Sequence, residues 1–450
     1  MAEPLTGAGE TAWFDADTGL LDRRVFVDEA VYRRELTHIF ARAWQFVAHE
    51  SQIAGAGDFF MSFLGEDEVI VVRDRDGGVQ VLLNTCPHRG NTVCRAELGR
   101  TNSFFCSYHG WNFDLDGSLL GMPGEEAFYR GELDKGAWGL QRAAQVAIYR
   151  GFVFATLDPD APPLPDYLGP VGRLGLDMLA AKGDLEVVDG VQKNRLQCNW
   201  KIAVDNLYDW YHVKVSHGSA IRTGMLYEPS MAPDSQMVLL GEYGHGIGGP
   251  GITEAQQQDL ARRMATNPVL DRRSGEWFDE SAGWRLAPAP RAELGPVGTR
   301  SLGHPNIFPN LWIALTNQIC LRIPRGPRCT ELWWFTLLPK DLTAAERRYA
   351  VFVANHFFGP AGMLEQDDGE NWSHSTRGAR GVVSGRRPVN LSMGQGLDEV
   401  TPDADGLHHI DTVVNEHGQR WTYQCWQEWL AADSWAALQQ NHSLPPAGVV

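Results

Sequence analysis

The chain of 450 residues is short of positive charge, of cysteine and of long apolar runs. Its 39 lysines and arginines stand against 56 aspartates and glutamates, so the formal net charge is -17. Such a field repels phosphate backbones and anionic lipid headgroups, and we expect no nucleic acid partner. No apolar run approaches the roughly 20 residues that cross a bilayer, and the N-terminal residues lack the basic and apolar stretches of a leader. We therefore expect a cytoplasmic protein that does not bind membranes.

The seven cysteines are too few and too scattered for a disulfide framework. Cysteines that act together in this chain should therefore do other chemistry. We also expect no dinucleotide fingerprint of the G-x-G-x-x-G type after a strand, so any nicotinamide chemistry would need a separate redox partner. The hydrophobic fraction, 43%, is enough to build the cores of two or three domains.

The hydrophobic pattern predicts several segments. An amphipathic helix is expected from Asp28, as its N-cap, to Ala43, within an N-terminal segment 1–43. Residues 44–158 alternate short apolar runs with the turn pairs Asp76-Gly77 and Asp116-Gly117, which indicates a small all-β domain. Five prolines between 159 and 170 predict an extended linker.

The remainder, 171–450, mixes strand-like runs such as LWIAL and ELWWFTLL with helix-like ones. One of those helices is opened by Thr343 and Glu346 in capping-box spacing. This mixture predicts an α+β domain.

A first group of metal-ligating residues lies in the predicted β domain. Cys86-Pro-His88 and Cys106-Ser-Tyr-His109 form two short loops, each with one cysteine, one histidine and a nearby glycine. Two Cys and two His could hold a structural zinc ion. They could also hold a Rieske 2Fe-2S cluster, in which one iron takes both thiolates and the other takes both imidazoles. The mixed loops favour the cluster, because zinc usually takes paired cysteines from one loop.

The motifs CPHRG and CSYHGWNFDLDG resemble the Rieske signature of the large subunit of aromatic ring-hydroxylating oxygenases. The resemblance extends over essentially the whole chain. It implies a Rieske domain followed by an α+β catalytic domain whose central antiparallel sheet, of the helix-grip type, holds a mononuclear iron. It also implies that the N-terminal segment packs on the catalytic domain.

A second group lies in NWKIAVDNLYDWYHVKVSH, which contains Asp209, His212 and His217. Two histidines and one carboxylate form the facial triad of non-haem Fe(II), which leaves positions open for O2 and substrate. Asp209 and His212 are three apart and would share a helix face. His212 and His217 are five apart, about 140° out of register on a helix, so a π-bulge or a helix end is predicted between them.

The third ligand should come from the acidic run GPAGMLEQDDGENW, whose carboxylates are those of Glu365, Asp367, Asp368 and Glu370. The residues alone do not separate Asp367 from Asp368. The resemblance selects Asp368, and it implies that Asp209 links His212 to the cluster ligand His109 of a neighbouring subunit. It also suggests substrate-pocket residues, namely Phe358, Asn206, Leu207, Val213 and Leu311.

The function implied by this resemblance is that of a terminal oxygenase. It would use O2 and electrons from NADH, delivered by a ferredoxin and a reductase or by one combined reductase, to convert an aromatic ring into a cis-dihydrodiol. The chain would pair with a small β subunit as α3β3 or form a homotrimer. A Rieske monooxygenase or O-demethylase would use the same metal ligands, whereas an electron carrier or a zinc-stabilised binding protein would have a single metal centre.

Overall fold

The computed structural model describes residues 12–223, 225, 236–253, 255–259, 262, 283–314, 316–412 and 414–450. The chain divides into two compact units, one formed by Phe40–Leu164 and the other by Met1–Ile39 together with Pro165–Val450. The first unit is built mainly of strands, and the second combines helices with a large antiparallel sheet. The predicted fold class, a β domain followed by an α+β domain, is confirmed.

The described α-helices, in chain order, are α1 (Glu29–Glu35), α2 (Glu125–Tyr129), α3 (Leu164–Ala180), α4 (Ile202–Asp205), α5 (Val213–Ser216), α6 (Gly218–Arg222), α7 (Pro288–Arg300), α8 (Ala344–Phe357), α9 (Met363–Ala379), α10 (His417–Ala431) and α11 (Trp435–Asn441). The described strands are β1 (Phe14–Asp15), β2 (Leu20–Leu21), β3 (Gln45–His49), β4 (Asp58–Leu64), β5 (Asp67–Arg73), β6 (Val79–Leu83), β7 (Leu98–Arg100), β8 (Phe104–Phe105), β9 (Asn112–Phe113), β10 (Leu119–Gly121), β11 (Gln145–Tyr149), β12 (Phe152–Thr156), β13 (Leu185–Val187), β14 (Gln192–Leu196), β15 (Gln236–Leu240), β16 (Gly246–Pro250), β17 (His304–Ile307), β18 (Leu311–Ala314), β19 (Gln318–Pro324), β20 (Thr330–Pro339), β21 (Val389–Asn390), β22 (Glu399–Pro402), β23 (His408–Ile410) and β24 (Gly448–Val449).

The β unit contains three antiparallel sheets with strand orders β6-β5-β4-β7, β11-β12-β3 and β10-β9-β8. The predicted turn pairs connect β5 to β6 and β9 to β10. Gly77 and Gly117 in these turns have φ of 86° and 87°, a conformation that glycine adopts without steric cost. The core of this unit includes Cys86 and Cys106, which are buried among aromatic and aliphatic side chains. The two predicted cysteine ligands are therefore shielded from solvent.

The α+β unit is organised around one antiparallel sheet of order β13-β20-β19-β18-β17-β16-β15-β23-β22-β24, with β14 also paired to β20. Alternate side chains on a strand point to opposite faces. On one face Asn194 of β14 donates a hydrogen bond to Glu365 of α9 at 2.9 Å. On the other face α3 packs so closely that a Cβ on Gly175 would lie 2.8 Å from Pro305 of β17. The sheet thus lies between α9 and α3.

The predicted helix caps are present. The Asp28 carboxylate accepts the N–H groups of Ala30 and Val31 at 2.8 and 3.0 Å, and α1 starts at the next residue. The helix ends earlier than predicted, because a wider turn over Leu36–Phe40 follows it. Thr343 and Glu346 form the expected capping box of α8.

The proline-rich stretch is not extended throughout, contrary to the prediction. Helix α3 begins at Leu164, so Pro165 lies in its first turn, where a missing N–H costs no hydrogen bond. Gly169 then interrupts the helix with φ of 57°, and Pro170 starts the second helical piece in the same way. Prolines near a helix start are compatible with helix, which the composition of the stretch alone did not reveal.

The expected absence of a G-x-G-x-x-G spacing after a strand is wrong. Gly244, Gly246 and Gly249 have this spacing and follow β15. They lead into β16, however, and not into a helix whose N-terminus could bind a pyrophosphate. A Cβ on Gly246 or Gly248 would also lie 2.7 or 2.8 Å from Tyr208, so these glycines allow close packing. Among the described residues, no helix combines the length and the apolar character needed to span a bilayer.

Candidate metal centres

The two Cys/His loops of the β unit have the same backbone conformation. The N–H of Gly90 donates to the carbonyl of Cys86 at 2.9 Å, and the N–H of Gly110 donates to that of Cys106 at 3.0 Å. The two glycines have φ of 73° and 75°, which closes each loop tightly. The repeated C-x-x-x-G turn therefore presents one thiol and one imidazole from each loop in a matched arrangement.

The four side chains of these loops are brought close together. The sulfur atoms of Cys86 and Cys106 are buried, and each accepts N–H groups from the residues two and three positions further along. The ring centroids of His88 and His109 lie 4.6 Å apart. The Nδ1 atom of His88 is buried without a hydrogen-bond partner, which fits a nitrogen that binds a metal.

The spread of these four ligand atoms fits a two-iron cluster better than a single ion. A tetrahedral zinc ion holds its ligand atoms within about 4 Å of one another. Among the described residues, two groups of three His, Cys, Asp or Glu residues place their ligand atoms within 4.8 Å of one another. Neither group includes a residue of these loops. A 2Fe-2S cluster separates the thiolates on one iron from the imidazoles on the other.

One of those two groups, Cys425, Glu428 and His442, already has its hydrogen bonds satisfied within the protein. Nδ1 of His442 lies 3.1 Å from the Glu428 carboxylate, and its Nε2 accepts the N–H of Tyr243 at 3.2 Å. With both ring nitrogens occupied, this histidine is structural.

The other group consists of His212, His217 and Asp368. Nε2 of His212 lies 3.3 Å from Nε2 of His217, and each lies 3.4 Å from Oδ1 of Asp368. The two histidines flank the single turn of α5, and His217 leaves helical geometry with φ of -96° and ψ of 30°. The predicted helix end between the histidines is therefore confirmed, and it turns both rings towards α9.

These three residues fit a bound cation. Ligand atoms that share one ion at bonds of about 2.1 Å lie roughly 3 to 3.5 Å apart, as here. Oδ1 of Asp368 is buried without a hydrogen-bond donor. Burial would raise the pKa of Asp368, but the two histidines hold it well below its usual range. Burial likewise opposes charge on His212, yet Asp209 and Asp368 raise its pKa to about 10. The site therefore stabilises positive charge next to a buried carboxylate.

Asp209 contacts His212, but not from the shared helix face that the sequence analysis expected. It lies in the irregular stretch between α4 and α5, where its Oδ1 accepts the backbone N–H of His212 at 3.1 Å. Nδ1 of His212 donates to the backbone carbonyl of Asp209. The same Nδ1 lies 3.5 Å from Oδ1 of Asp209. The contact arises because Asp209 lies three residues before His212, the N-cap residue of α5, and accepts its backbone N–H.

The other carboxylates of the acidic run point elsewhere. Oδ2 of Asp367 lies 3.3 Å from Nδ1 of His217, on the far side of that ring from the convergence point. Glu365 is buried and accepts a hydrogen bond from Asn194, and its burial raises its pKa to about 7. Glu370 is exposed. Successive residues on a helix are turned by 100°, so the neighbouring aspartates cannot point to the same place.

Phe358 belongs to an aromatic cluster on the α9 face of the sheet. Its ring is stacked on Trp334 at 4.9 Å and meets the edge of Trp312 at 4.9 Å and that of His304 at 5.8 Å. Burial lowers the pKa of His304 to about 3, although the charge of Asp368 opposes this, so the imidazole is neutral. His304 was not predicted as a site residue, and the alternation of His304 and Asn306 along β17 is the signal that could have indicated it.

Leu311, which the resemblance suggested as a pocket residue, lies on the face of the sheet that points away from Phe358. It pairs with Ile307 and Leu321 in the sheet, and Ile307 faces α3. Its neighbour Trp312 faces Phe358, and adjacent residues of a strand point to opposite faces.

The other pocket residues, Asn206, Leu207 and Val213, lie in the segment that carries Asp209 and His212. Leu207 and Val213 are buried. Their assignment to the pocket stays a prediction.

Comparisons with known proteins agree over nearly the whole chain. Residues 177–432 match the family described as Ring hydroxylating alpha subunit (catalytic domain), and residues 43–144 match the Rieske [2Fe-2S] domain. The chain is 35% identical over 466 residues to biphenyl 2,3-dioxygenase subunit alpha of Rhodococcus jostii (strain RHA1), which covers 97% of this chain and 96% of that protein. It is 33% identical over 447 residues to benzene 1,2-dioxygenase subunit alpha of Pseudomonas putida, with 95% and 94% covered. A structure of naphthalene 1,2-dioxygenase with bound indole superposes with a TM-score of 0.82 at 27% identity, covering 95% and 96% of the two chains.

Proposed function

The chain belongs to the ring-hydroxylating dioxygenase alpha subunits, and on that premise we propose that it oxidises a neutral aromatic hydrocarbon. It is the terminal oxygenase, with one Rieske 2Fe-2S cluster and one mononuclear iron. In the overall reaction an arene, O2, two electrons and two protons give a cis-dihydrodiol, and NADH is the ultimate source of the electrons. The observation that carries the proposal is the convergence of His212, His217 and Asp368 in a chain that also contains the two Cys/His loops.

We propose Cys86, His88, Cys106 and His109 as the ligands of the cluster. The backbone N–H groups donated to the two sulfur atoms would stabilise the reduced cluster, because such hydrogen bonds offset the charge that an added electron brings. The imidazole rings are the more exposed ligands and give electrons a route out of the buried core.

His212, His217 and Asp368 are the proposed iron ligands. An iron ion held by three protein groups keeps open positions and supplies the activation of O2. Asp209 orients the ring of His212 through its backbone carbonyl. Its carboxylate accepts the backbone N–H of His212 and is the proposed link to the cluster of a neighbouring subunit. The aromatic cluster around Phe358 would exclude water beside Asp368.

The proposal of a neutral substrate comes from the surroundings of Phe358. Within the described residues, the rings that contact Phe358 belong to Trp312, Trp334, Phe357 and the neutral His304. No cationic side chain is among them. A carboxylate on the substrate would therefore lose its hydration without gaining a partner. The relatives named for biphenyl and benzene are consistent with this class.

The electron donors and subunit partners are also proposals. The relatives are named as alpha subunits, which supports a second, β subunit in an α3β3 assembly over a homotrimer. The Gly244–Gly249 stretch provides no helix N-terminus for a nucleotide, so electrons would come from a ferredoxin and a reductase. We expect the enzyme to work in the cytoplasm, where NADH is available.

The test is a reconstituted turnover under ¹⁸O2 with NADH, a reductase and a ferredoxin from a biphenyl-oxidising system. Biphenyl, benzene and naphthalene are offered in turn, with benzoate as the anionic control. We expect a cis-dihydrodiol that carries two labelled oxygen atoms, no product from benzoate, and no product from an Asp368→Ala variant. A product with one labelled oxygen would establish the monooxygenase alternative, and oxidation of benzoate alone would refute the proposed substrate class.

A further inference from the structure

The two histidines of the proposed iron site are oriented in different ways. Nδ1 of His212 donates to a backbone carbonyl, that of Asp209, which no substitution of the side chain removes. Nδ1 of His217 faces a side chain, the carboxylate of Asp367, at 3.3 Å. An imidazole can offer Nε2 to a metal only when its remaining proton sits on Nδ1, so the acceptor at Nδ1 selects the metal-binding tautomer.

Asp367 is well placed for this task. It precedes Asp368 on α9, and the 100° turn between the two residues directs one carboxylate to the convergence point and the other past it. Asp368 is buried, whereas the side chain of Asp367 is 32% exposed to solvent. The Asp367 carboxylate is therefore placed to accept the Nδ1–H of His217. Ser219 of α6 donates to the same Oδ2 at 3.4 Å and holds it in place.

We propose that Asp367 is a positioning residue that fixes the tautomer and ring orientation of His217, and so sets how tightly the iron site holds its metal. This inference rests on the proposed iron site. The adjacent aspartates then have separate tasks, because Asp368 supplies a ligand atom while Asp367 acts through His217. Asp209 affects iron retention little, since the carbonyl that orients His212 belongs to the backbone.

The experiment measures metal retention in the purified holoenzyme under anaerobic conditions. A ferrous chelator is added, and the loss of the mononuclear iron is followed while the absorption of the 2Fe-2S cluster and the melting temperature report the integrity of the fold. Loss of a carboxylate that supports a histidine ligand typically weakens metal binding about 10- to 100-fold. We expect Asp367→Ala to lower iron affinity by that factor, and Asp367→Asn, which keeps an acceptor oxygen, to lower it less.

Two control variants separate this role from a general effect on the helix or on charge. Glu370→Ala removes an exposed carboxylate of α9 that forms an ion pair with His374, and this variant should bind iron like the wild type. Asp209→Asn keeps its backbone carbonyl and should also retain iron. The order wild type, Asp367→Asn, Asp367→Ala at an unchanged melting temperature would support the inference.

Equal iron affinity in Asp367→Ala and Glu370→Ala would overturn the inference. If Asp367→Ala does not fold, Asp367→Asn and Ser219→Ala are compared in the same assay, and wild-type retention in both would likewise overturn it. A wild-type chain that holds its cluster but no additional iron would instead refute the iron site itself, so the two failures are distinguishable.

Discussion

A buried ion pair joins helix α1 to the segment that leads into the iron site, and its removal should be costly. Glu35 is fully buried and lies 2.5 Å from Nζ of Lys201, which is also buried. The same carboxylate accepts hydrogen bonds from the indole N–H groups of Trp200 at 2.8 Å and Trp426 at 2.9 Å. Burial lowers the pKa of Lys201, and the charge of Glu35 opposes that change. We therefore predict that Glu35→Gln, which keeps the shape but removes the charge, strongly destabilises the α+β unit.

The expected loss is about 3 to 5 kcal/mol, the cost of leaving one member of a buried pair without its counter-charge. At roughly 2 °C per kcal/mol for a unit of this size, the melting temperature should fall by about 6 to 10 °C. Lys201 would then be buried as an unpaired cation, so it binds its proton less readily in the folded variant than in the unfolded chain. The stability difference between Glu35→Gln and the wild type should therefore shrink as the pH rises from 7 to 9.

The assay is thermal unfolding of wild type, Glu35→Gln and the double variant Glu35→Leu/Lys201→Met at both pH values. The double variant replaces the pair by apolar groups of similar volume, and such replacements are often neutral. We expect it to recover most of the stability that Glu35→Gln loses. A loss below about 1 kcal/mol in Glu35→Gln, or a loss of stability that grows with pH, would contradict a buried ion pair of this strength.

Three further predictions concern the site and the core. Asp209→Asn should keep its iron affinity within about threefold of the wild-type value but slow NADH-driven turnover at least about tenfold. Iron analysis and the rate of cluster reoxidation measure the two effects. Normal turnover in this variant would show that electrons do not pass through Asp209. Phe358→Val should shift the ratio of regioisomeric diols by about tenfold, because a loss of about 1 to 3 kcal/mol of packing energy allows the substrate to bind in another orientation. Leu311→Ala, on the opposite face of the sheet, should leave the ratio unchanged. His245, whose burial lowers its pKa to about 4, binds its proton less readily than in the unfolded chain, so stability should fall by up to about 3 kcal/mol as the pH drops from 6.5 to 4. Unfolding curves of wild type and His245→Gln should therefore converge over that range, and parallel pH profiles would contradict the assignment.

Short-range patterns in the sequence predicted much of the local structure. The Asp28 and Thr343 caps, the turns at Gly77 and Gly117 and the helix end at His217 all depend on residues within a few positions of one another. Conformational preferences of this kind act through local hydrogen bonds and backbone sterics, which is why they can be predicted without the tertiary fold.

Assignments that the sequence left open depended on orientation in three dimensions. Leu311 and Trp312 are both apolar and both buried, so composition could not tell which of them faces α9. Asp367 and Asp368 are chemically identical neighbours, and only the placement of α9 against His217 separates their roles. His304 of β17 meets Phe358, at the end of α8, through tertiary packing between segments far apart in the sequence, which no local pattern reveals.

This chain should carry a 2Fe-2S cluster and a separate iron held by His212, His217 and Asp368. The most direct test is the iron, zinc and acid-labile sulfide content of the purified chain and of Asp368→Ala, together with the EPR spectrum before and after reduction by dithionite. We predict three irons and two sulfides per wild-type chain, two irons and two sulfides in the variant, and a rhombic signal in both after reduction. Zinc without sulfide, or the same iron content in both proteins, would contradict the account.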